Sequence, residues 1–353
     1  MGYLPYIYIY IMCKRFFLFL VAAGFSCACF SDTLTIAMTG DIMMGTTFPE
    51  EELPAHDGMY LFRDVKHLLQ DADLAVGNLE GTLCDGGTST KGEGPNVYSF
   101  RTPTSYAPLL KDAGYDFLSM ANNHANDFGL EGIESTEQCL REQGILFSGI
   151  EGRIESVVIE RNGLRIGICA FGHNSYTINH TDLSLVKRIL ADLQERSDII
   201  VVSFHGGAEG RSKTHLPYER EIFLGENRGA LRHMAHFCID NGADVVYGHG
   251  PHVVRAIEVY KGRFIDYSLG NFCTPYGMSL IGISAHAPVV VISIDDEGRF
   301  LEGKIHSFLQ IKGVGPRKDK TNAVVHQIKA LSEEDVPASE ARIDDDGNIT
   351  LKK

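Results

Sequence analysis

Short apolar runs that alternate with amphipathic segments predict an α/β fold with largely parallel strands. Three observations carry that expectation. The runs are rich in β-branched and aromatic residues and are closed by glycine, asparagine or histidine. The intervening segments repeat apolar residues at helical spacing. No stretch between 33 and 312 is long or biased enough to act as a linker, so one large domain is expected there.

In chain order, LTIAMTGD (34–41) is the first expected strand. In 60–70, Leu61, Val65, Leu68 and Leu69 fall on one face of a helix. DLAVGNLE (73–80) is the second strand. A helix over 104–113 follows, closed by Gly114, because glycine readily takes the left-handed position after a helix. YDFLSMANNH (115–124), LRIGICAFG (164–172), DIIVVSFHG (198–206) and ADVVYGHG (243–250) are the next strands. Helices are expected over 130–143, 183–196 and 227–241, the last closed by Gly242. From 253 the pattern changes. Tyr260-Lys261-Gly262-Arg263 and Asp295-Asp296-Glu297-Gly298 each interrupt paired apolar runs, a hairpin signal. The C-terminal third is therefore expected to be mainly antiparallel β. Residues 313–353 are polar, with charged clusters at 317–320, 333–335 and 344–346, and read as a short helix and a loose tail.

Of 353 residues, 44% are hydrophobic and 22% charged, ordinary globular usage that excludes disordered, collagen-like and coiled-coil chains. Lysine and arginine total 32 against 46 acidic residues, a net charge of −14. That balance argues against a nucleic-acid partner. Residues 1–32 read as a signal peptide or lipoprotein signal: Lys14 and Arg15 precede the apolar FFLFLVAAGF (16–25), and small residues follow. Met12 reads as the start. A transmembrane anchor is the competing reading, but the two basic residues interrupt the run, and 16–30 alone is short of a span of ~20 residues. An exported chain is expected, in the periplasm, the cell envelope or outside the cell. Cys27 and Cys29 add the option of a lipid anchor, on a poor lipobox match. Beyond the signal, five cysteines remain (Cys84, Cys139, Cys169, Cys238 and Cys273) and no C-x-x-C pair, so no disulfide framework is expected.

Chemistry-bearing residues collect at the ends of the apolar runs. Asp41 ends the first, Asn78 and Glu80 the second, and Asn122, Asn123 and His124 the third. His205, with Glu209 four residues on, ends a later one, and His249 and His252 the next. Open α/β sheets bind ligands beyond the carboxyl ends of their strands. One such residue is usually a cap or turn; five strands sharing the habit imply a common pocket. Asp41, Glu80, Asn123, His205, His249 and His252 make a nitrogen/oxygen donor set without sulfur, suited to one or two divalent ions such as Mn, Fe or Zn. An exposed His124 beside them is placed to protonate a leaving group. Arg101 is a candidate anion clamp, since guanidinium matches phosphate or carboxylate oxygens in pairs. His173 reads as structural, and the remaining histidines, His180 among them, as solvated.

The motifs TGDIMMG, GNLEG, FRTPTSYAPLLKDAGYDFLSMANNHANDFGLEGIESTEQCL, SFHGGAEG and GADVVYGHGPHVVRAIEVYKGRFIDYSLGNF occur in this order over residues 34 to about 275. They resemble the CapA family of poly-γ-glutamate capsule-synthesis proteins. That family is similar to the calcineurin-like metallophosphoesterases, so the resemblance implies a four-layer α/β-β/α sandwich. It places Asp41 in the first metal motif and Glu80 at the bridging carboxylate. Asn123 and His124 stand at a ligand and the leaving-group acid, His205 at a lone histidine ligand, and His249 and His252 at the final pair. Arg101, Asn122 and Glu209 are then the substrate-facing residues; Asp127 belongs to the motif without an assigned role. Four departures stand out. Met43 occupies a position that is usually histidine, the bridging carboxylate Glu80 is a glutamate rather than an aspartate, the last histidines are one residue further apart than usual, and Gly206 replaces a tryptophan.

The implied function is that of an exported capsule-synthesis protein whose metal site hydrolyses a phosphoester or a γ-glutamyl polymer bond. The alternative is a non-catalytic subunit that binds the anionic polymer beside membrane-bound polymer-synthesis proteins. A third option is a scavenging hydrolase of nucleotides or sugar phosphates.

Overall fold

The structure, a computed structural model, describes residues 33–92, 94 and 97–353. The expected signal over 1–32 lies outside the described residues.

Two large sheets carry most of the strands, with three two-stranded ones beside them among the described residues. The larger has nine, in the order Ala341–Ile343, Asn348–Leu351, Phe300–His306, Val289–Ile294, Leu34–Ile42, Leu74–Leu79, Phe117–Ser119 and Leu146–Ser148, with Asn271–Cys273 also pairing Leu34–Ile42. The smaller has six: Ile257–Tyr260, Arg263–Asp266, Val245–His249, Ile199–His205, Leu164–Phe171 and Ser156–Arg161. The central pairings of both are parallel, as the strand–helix alternation predicts. Both expected hairpins form, Ile257–Tyr260 on Arg263–Asp266 and Val289–Ile294 on Phe300–His306.

Runs apolar on both sides need cover on both faces. Ile36, Met38, Leu74 and Val76 of the large sheet pack with Ile166, Ile168, Val201 and Val245 of the small one, forming the middle of the molecule. The outer face of the large sheet is covered by Leu61, Val65, Leu69, Leu110 and Leu140. That of the small sheet is covered by Val186, Ile189, Leu193 and Met234. The result is the four-layer sandwich. Cys84, Cys139, Cys169, Cys238 and Cys273 are all free and buried.

Several elements differ from expectation. Over 60–70 only Lys66–Gln70 is α-helical; earlier bonds such as Leu61 N–H to Gly58 and Val65 N–H to Phe62 span three residues, yet Leu61 and Val65 still reach the core. The helix expected over 227–241 is Leu231–Asp240, because Glu226–Gly229 pairs instead with Glu221–Phe223. The third strand is only Phe117–Ser119, leaving 120–124 as a loop.

The largest difference is at the C-terminus, where the expected loose tail is a folded part of the sandwich. Helix Ala323–Asp335 buries Val324, Val325 and Ile328 in the central core. Strands Ala341–Ile343 and Asn348–Leu351 extend the large sheet and bury Ile343 and Ile349. These apolar residues are few and separated by charges, so composition hides them. Their spacing nonetheless sets them on one face of each element.

Candidate functional site

The carboxyl ends of both sheets' central strands deliver the predicted residues. In the large sheet, Asp41 lies beside Asn78 on one neighbour and Asn271 on the other. Its strand approaches so closely that a Cβ on Gly40 would lie 2.0 Å from the Gly270 carbonyl, so only glycine fits there. In the small sheet, His249 lies beside His205 on adjacent parallel strands. A Cβ on Gly206 would lie 2.6 Å from the Arg228 carbonyl and 2.8 Å from His180. That packing accounts for glycine where the resembled pattern has tryptophan.

The two ends meet as coupled pairs. Asp41 Oδ1 lies 3.1 Å from His249 Nδ1, and Asp41 Oδ2 3.0 Å from His252 Nδ1. Glu80 Oε2 lies 3.3 Å from His205 Nε2. Asn78 ties the carboxylates together, donating to Asp41 Oδ1 at 2.9 Å and to Glu80 Oε2 at 2.6 Å. Asn122, expected to face substrate, is instead fully enclosed. It donates to Asn78 and the Leu79 carbonyl and accepts from the His124 N–H, which makes it a strut for the carboxylate-bearing loops.

Burial opposes charge on these groups, but their partners outweigh it. The close approach of His249, together with the hydrogen bond and charge of His252, holds Asp41 far below the usual carboxylate range. Glu80 is drawn to about 2, with the His205 charge overcoming both burial and repulsion from Asp41. His252 is lifted to about 10, desolvation being exceeded by its hydrogen bond to Asp41.

Glu80 Oε1, Asn123 Oδ1 and both ring nitrogens of His205 and His249 are buried without a hydrogen-bond partner. The His249–Asp41 and His205–Glu80 approaches are thus charge contacts, too poorly aligned to be hydrogen bonds. Buried lone pairs left unpaired are costly in a folded protein. Here their chemistry, carboxylate, amide oxygen and imidazole, fits a divalent cation. Among the described residues no three His, Cys, Asp or Glu side chains are arranged as a ready cage.

His124 sits beside this cluster, only 7% exposed rather than open to solvent. Its Nδ1 lies 2.8 Å from Asp127 Oδ2 and 3.0 Å from Lys91 Nζ. Lys91 also pairs with Asp127 Oδ1 at 2.7 Å, and the Phe100 N–H donates to Asp127 Oδ2. The Phe100 ring packs 4.3 Å from the imidazole. Asp127, left without a role by sequence reasoning, orients His124. Its i,i+3 spacing from His124 was the available signal. Lys91 had none.

Arg101 makes its contacts elsewhere. Its guanidinium donates to the Thr47 hydroxyl and carbonyl and lies between the rings of Phe48 and Phe128, none of them members of the cluster. A different arginine, Arg228, borders the site. It bonds Glu209 at 2.9 Å, and Glu209 lies 4.0 Å from His252 Nε2. His173 lines the same side, its ring 5.8 Å from that of His205 and its Nε2 3.5 Å from Glu226. His180, expected to be solvated, is buried, and desolvation depresses it to about 4. Met43 is also buried, beside Gly81, Gly277 and Phe100.

Residues 35–276 match the family described as bacterial capsule synthesis protein PGA_cap. The chain belongs to that family. It is 29% identical over 267 residues to the capsule biosynthesis protein CapA of Bacillus anthracis, covering 70% of this chain and 61% of that one. It is 28% identical over 263 residues to the PGA biosynthesis protein CapA of Bacillus subtilis, covering 70% and 64%. The match thus spans less than two thirds of either relative. Among solved structures, a putative 5′-nucleotidase from Staphylococcus aureus overlaps with 16% identity and a TM-score of 0.43, over 86% of this chain and 58% of that one. An overlap that loose carries no chemistry.

Proposed function

We propose that this PGA_cap-family chain is an exported, metal-dependent hydrolase that acts on a phosphoester or a γ-glutamyl bond during synthesis of an anionic capsule polymer. One observation carries the reading: carboxylates from one sheet and imidazoles from the other meet with buried, unpartnered donor atoms, next to an anchored histidine. Asp41, Glu80, Asn123, His205, His249 and His252 would hold one or two divalent ions. Such an ion supplies Lewis acidity toward a substrate oxygen and lowers the pKa of water.

The chain's own residues supply the rest. Asp41 and Glu80 stay ionised at neutral pH, so their charge is available for a cation. Asn78 and Asn122 fix where those charges sit. With its Nδ1–H directed at Asp127, His124 can carry a second proton on Nε2 and pass it to the leaving oxygen or nitrogen as the scissile bond breaks. Asp127 orients the imidazole for that transfer, and Lys91 pairs with Asp127 at 2.7 Å and holds it in place. The test is metal analysis of the purified chain and its His249→Ala variant, with assays on a generic phosphodiester and on γ-glutamyl oligomers. Bound metal that is lost in the variant, with cleavage of one substrate, is expected. A metal-free, inactive protein in the presence of added Mn or Zn overturns the proposal.

A second reading is favoured by Met43, a weak ligand at a position usually taken by histidine. In it the chain binds the anionic polymer without cleaving it, alongside membrane-bound synthesis proteins. His124→Ala would then leave polymer production intact.

A further inference from the structure

Strands Glu221–Phe223 and Glu226–Gly229 form a hairpin joined by Leu224-Gly225. Both turn residues have positive φ, 49° and 83°. A two-residue turn of this kind favours Asn, Asp or Gly at its first position, because left-handed backbone is costly for other side chains. Leucine there is strained, and it is also 84% exposed. Ile222 and Tyr218 are exposed with it, at 55% and 72%. Two costs, backbone strain at Leu224 and apolar exposure, are therefore borne at one tip, although the Arg232 guanidinium lies 4.2 Å from the centre of the Tyr218 ring.

The segment leading into the hairpin, GRSKTHLPYER (210–220), carries Arg211, Lys213 and Arg220, all exposed. None of their side chains enters an ion pair among the described residues. Elsewhere exposed cations such as Arg141, Arg188 and Lys261 are paired. Glu219 is the sole carboxylate in that segment.

We propose that this hairpin seats its tip in an anionic lipid surface. Ile222, Leu224 and Tyr218 enter the boundary between headgroups and acyl chains, and Arg211, Lys213 and Arg220 face the lipid phosphates. An apolar tip with a basic collar is the pattern a bilayer interface rewards. The collar decides between lipid and a protein partner: on a chain of net charge −14, a cluster of unpaired cations beside the tip selects a nearby polyanionic plane. Charges more than about 10 Å away are screened at moderate salt, so the local balance counts: Glu334 and Asp335 are engaged by His215 and the Leu216 N–H, which leaves the three cations facing only Glu219 within their own segment. The hairpin's second strand also reaches the candidate site. Arg228 on it bonds Glu209, and Glu226 approaches His173. Seating the tip therefore brings the rim of that site to the lipid surface, where a membrane-presented substrate would be met.

The chain has no tryptophan, so Leu224→Trp installs a single fluorescent reporter. The full chain carrying it is mixed with phosphatidylcholine vesicles, with or without phosphatidylglycerol. The expected result with the anionic vesicles is a blue shift, quenching by lipids brominated on the acyl chain, and loss of both at high salt. Adding Ile222→Asp should weaken the response at least about tenfold, as expected for losing an inserted aliphatic side chain. The control is Ile281→Trp, at another exposed apolar position, 66% accessible, which should not respond. No shift at 224, even if the protein pellets with vesicles through another segment, overturns the proposal, and so does an equal response at 281.

Discussion

The end of the large sheet presents carboxylates and amides, Asp41, Glu80, Asn78 and Asn123, whereas the end of the small sheet presents imidazoles, His205, His249 and His252. Each set is unfavourable alone. Asp41 and Glu80 repel one another, and buried imidazoles without a carboxylate lose their charge. Two histidines show the difference. His180, enclosed behind the small sheet's strand ends, is depressed to about 4, while His252, in contact with Asp41 from the large sheet, is raised to about 10. The charge state of the site is therefore a property of the seam between the sheets.

Cutting the seam should have the largest effect. Asp41→Asn is expected to lower metal retention by at least about 100-fold, beyond the loss seen on removing supporting partners. It should also destabilise the chelator-treated protein by about 3–5 kcal/mol, the usual result of breaking a buried ion pair. The pH dependence is specific. Because the folded pKa of His252 is raised, its stabilisation is complete below its unfolded value near 6.5 and is lost as pH rises through about 10. The gap between wild type and variant, measured by denaturant unfolding, should narrow as pH approaches 10. A constant gap would mean that His252 and Asp41 are not coupled.

Next in size is a test of whether proton transfer separates from metal holding. If the site is hydrolytic, His124→Ala should reduce turnover by about 10²–10⁴-fold, the usual contribution of a general acid, with metal content unchanged. Asp127→Asn should give a smaller loss of the same kind, since it orients the imidazole without replacing it. Parallel loss of metal and turnover in His124→Ala would put His124 among the ligands.

Most of this seam was legible in the sequence. Asp41, Glu80, His205 and His249 close apolar runs, and strand ends are where parallel sheets place their ligands. The strand pattern could not tell which sheet each run joins, because parallel strands of either sheet have the same apolar signature. Nor could it separate a substrate-facing amide from a strut. Asn122 reads the same in both roles, and only its bonds to Asn78 and Leu79 decide. Arg228 was hidden because its strand follows a Leu-Gly turn that carries no usual hairpin signal.

A smaller effect tests the comparison from inside the small sheet, which has a carboxylate of its own. Asp266 is fully buried, its Oδ2 has no partner, and desolvation raises it to about 8, although its Oδ1 accepts the Ser268 N–H. Asp41 and Asp266 thus show opposite ionisation, one with cationic neighbours and the other without. Since the folded pKa of Asp266 lies above its unfolded value of 3.8, its stabilisation is complete below that value and lost as pH rises through about 8. Asp266→Asn should flatten this slope and leave the variant about 2 kcal/mol more stable relative to wild type at pH 7 than at pH 5. Parallel pH profiles would indicate that Asp266 is already ionised and has a partner.

The smallest effect concerns what the large sheet has and the small one lacks, a C-terminal extension. Ile349 is completely buried between Gly303 and Ile343 in register, while Leu351 on the same strand is 43% exposed. Ile349→Val should cost about 1 kcal/mol, as for a methyl removed from a packed core. Leu351→Ala should change stability by no more than about 0.5 kcal/mol, as at an ordinary surface position. A loose tail would make both substitutions silent. The contrast between two residues two apart on one strand is therefore a measure of whether these last strands belong to the sandwich, and of whether burial or composition decides the fate of a polar segment.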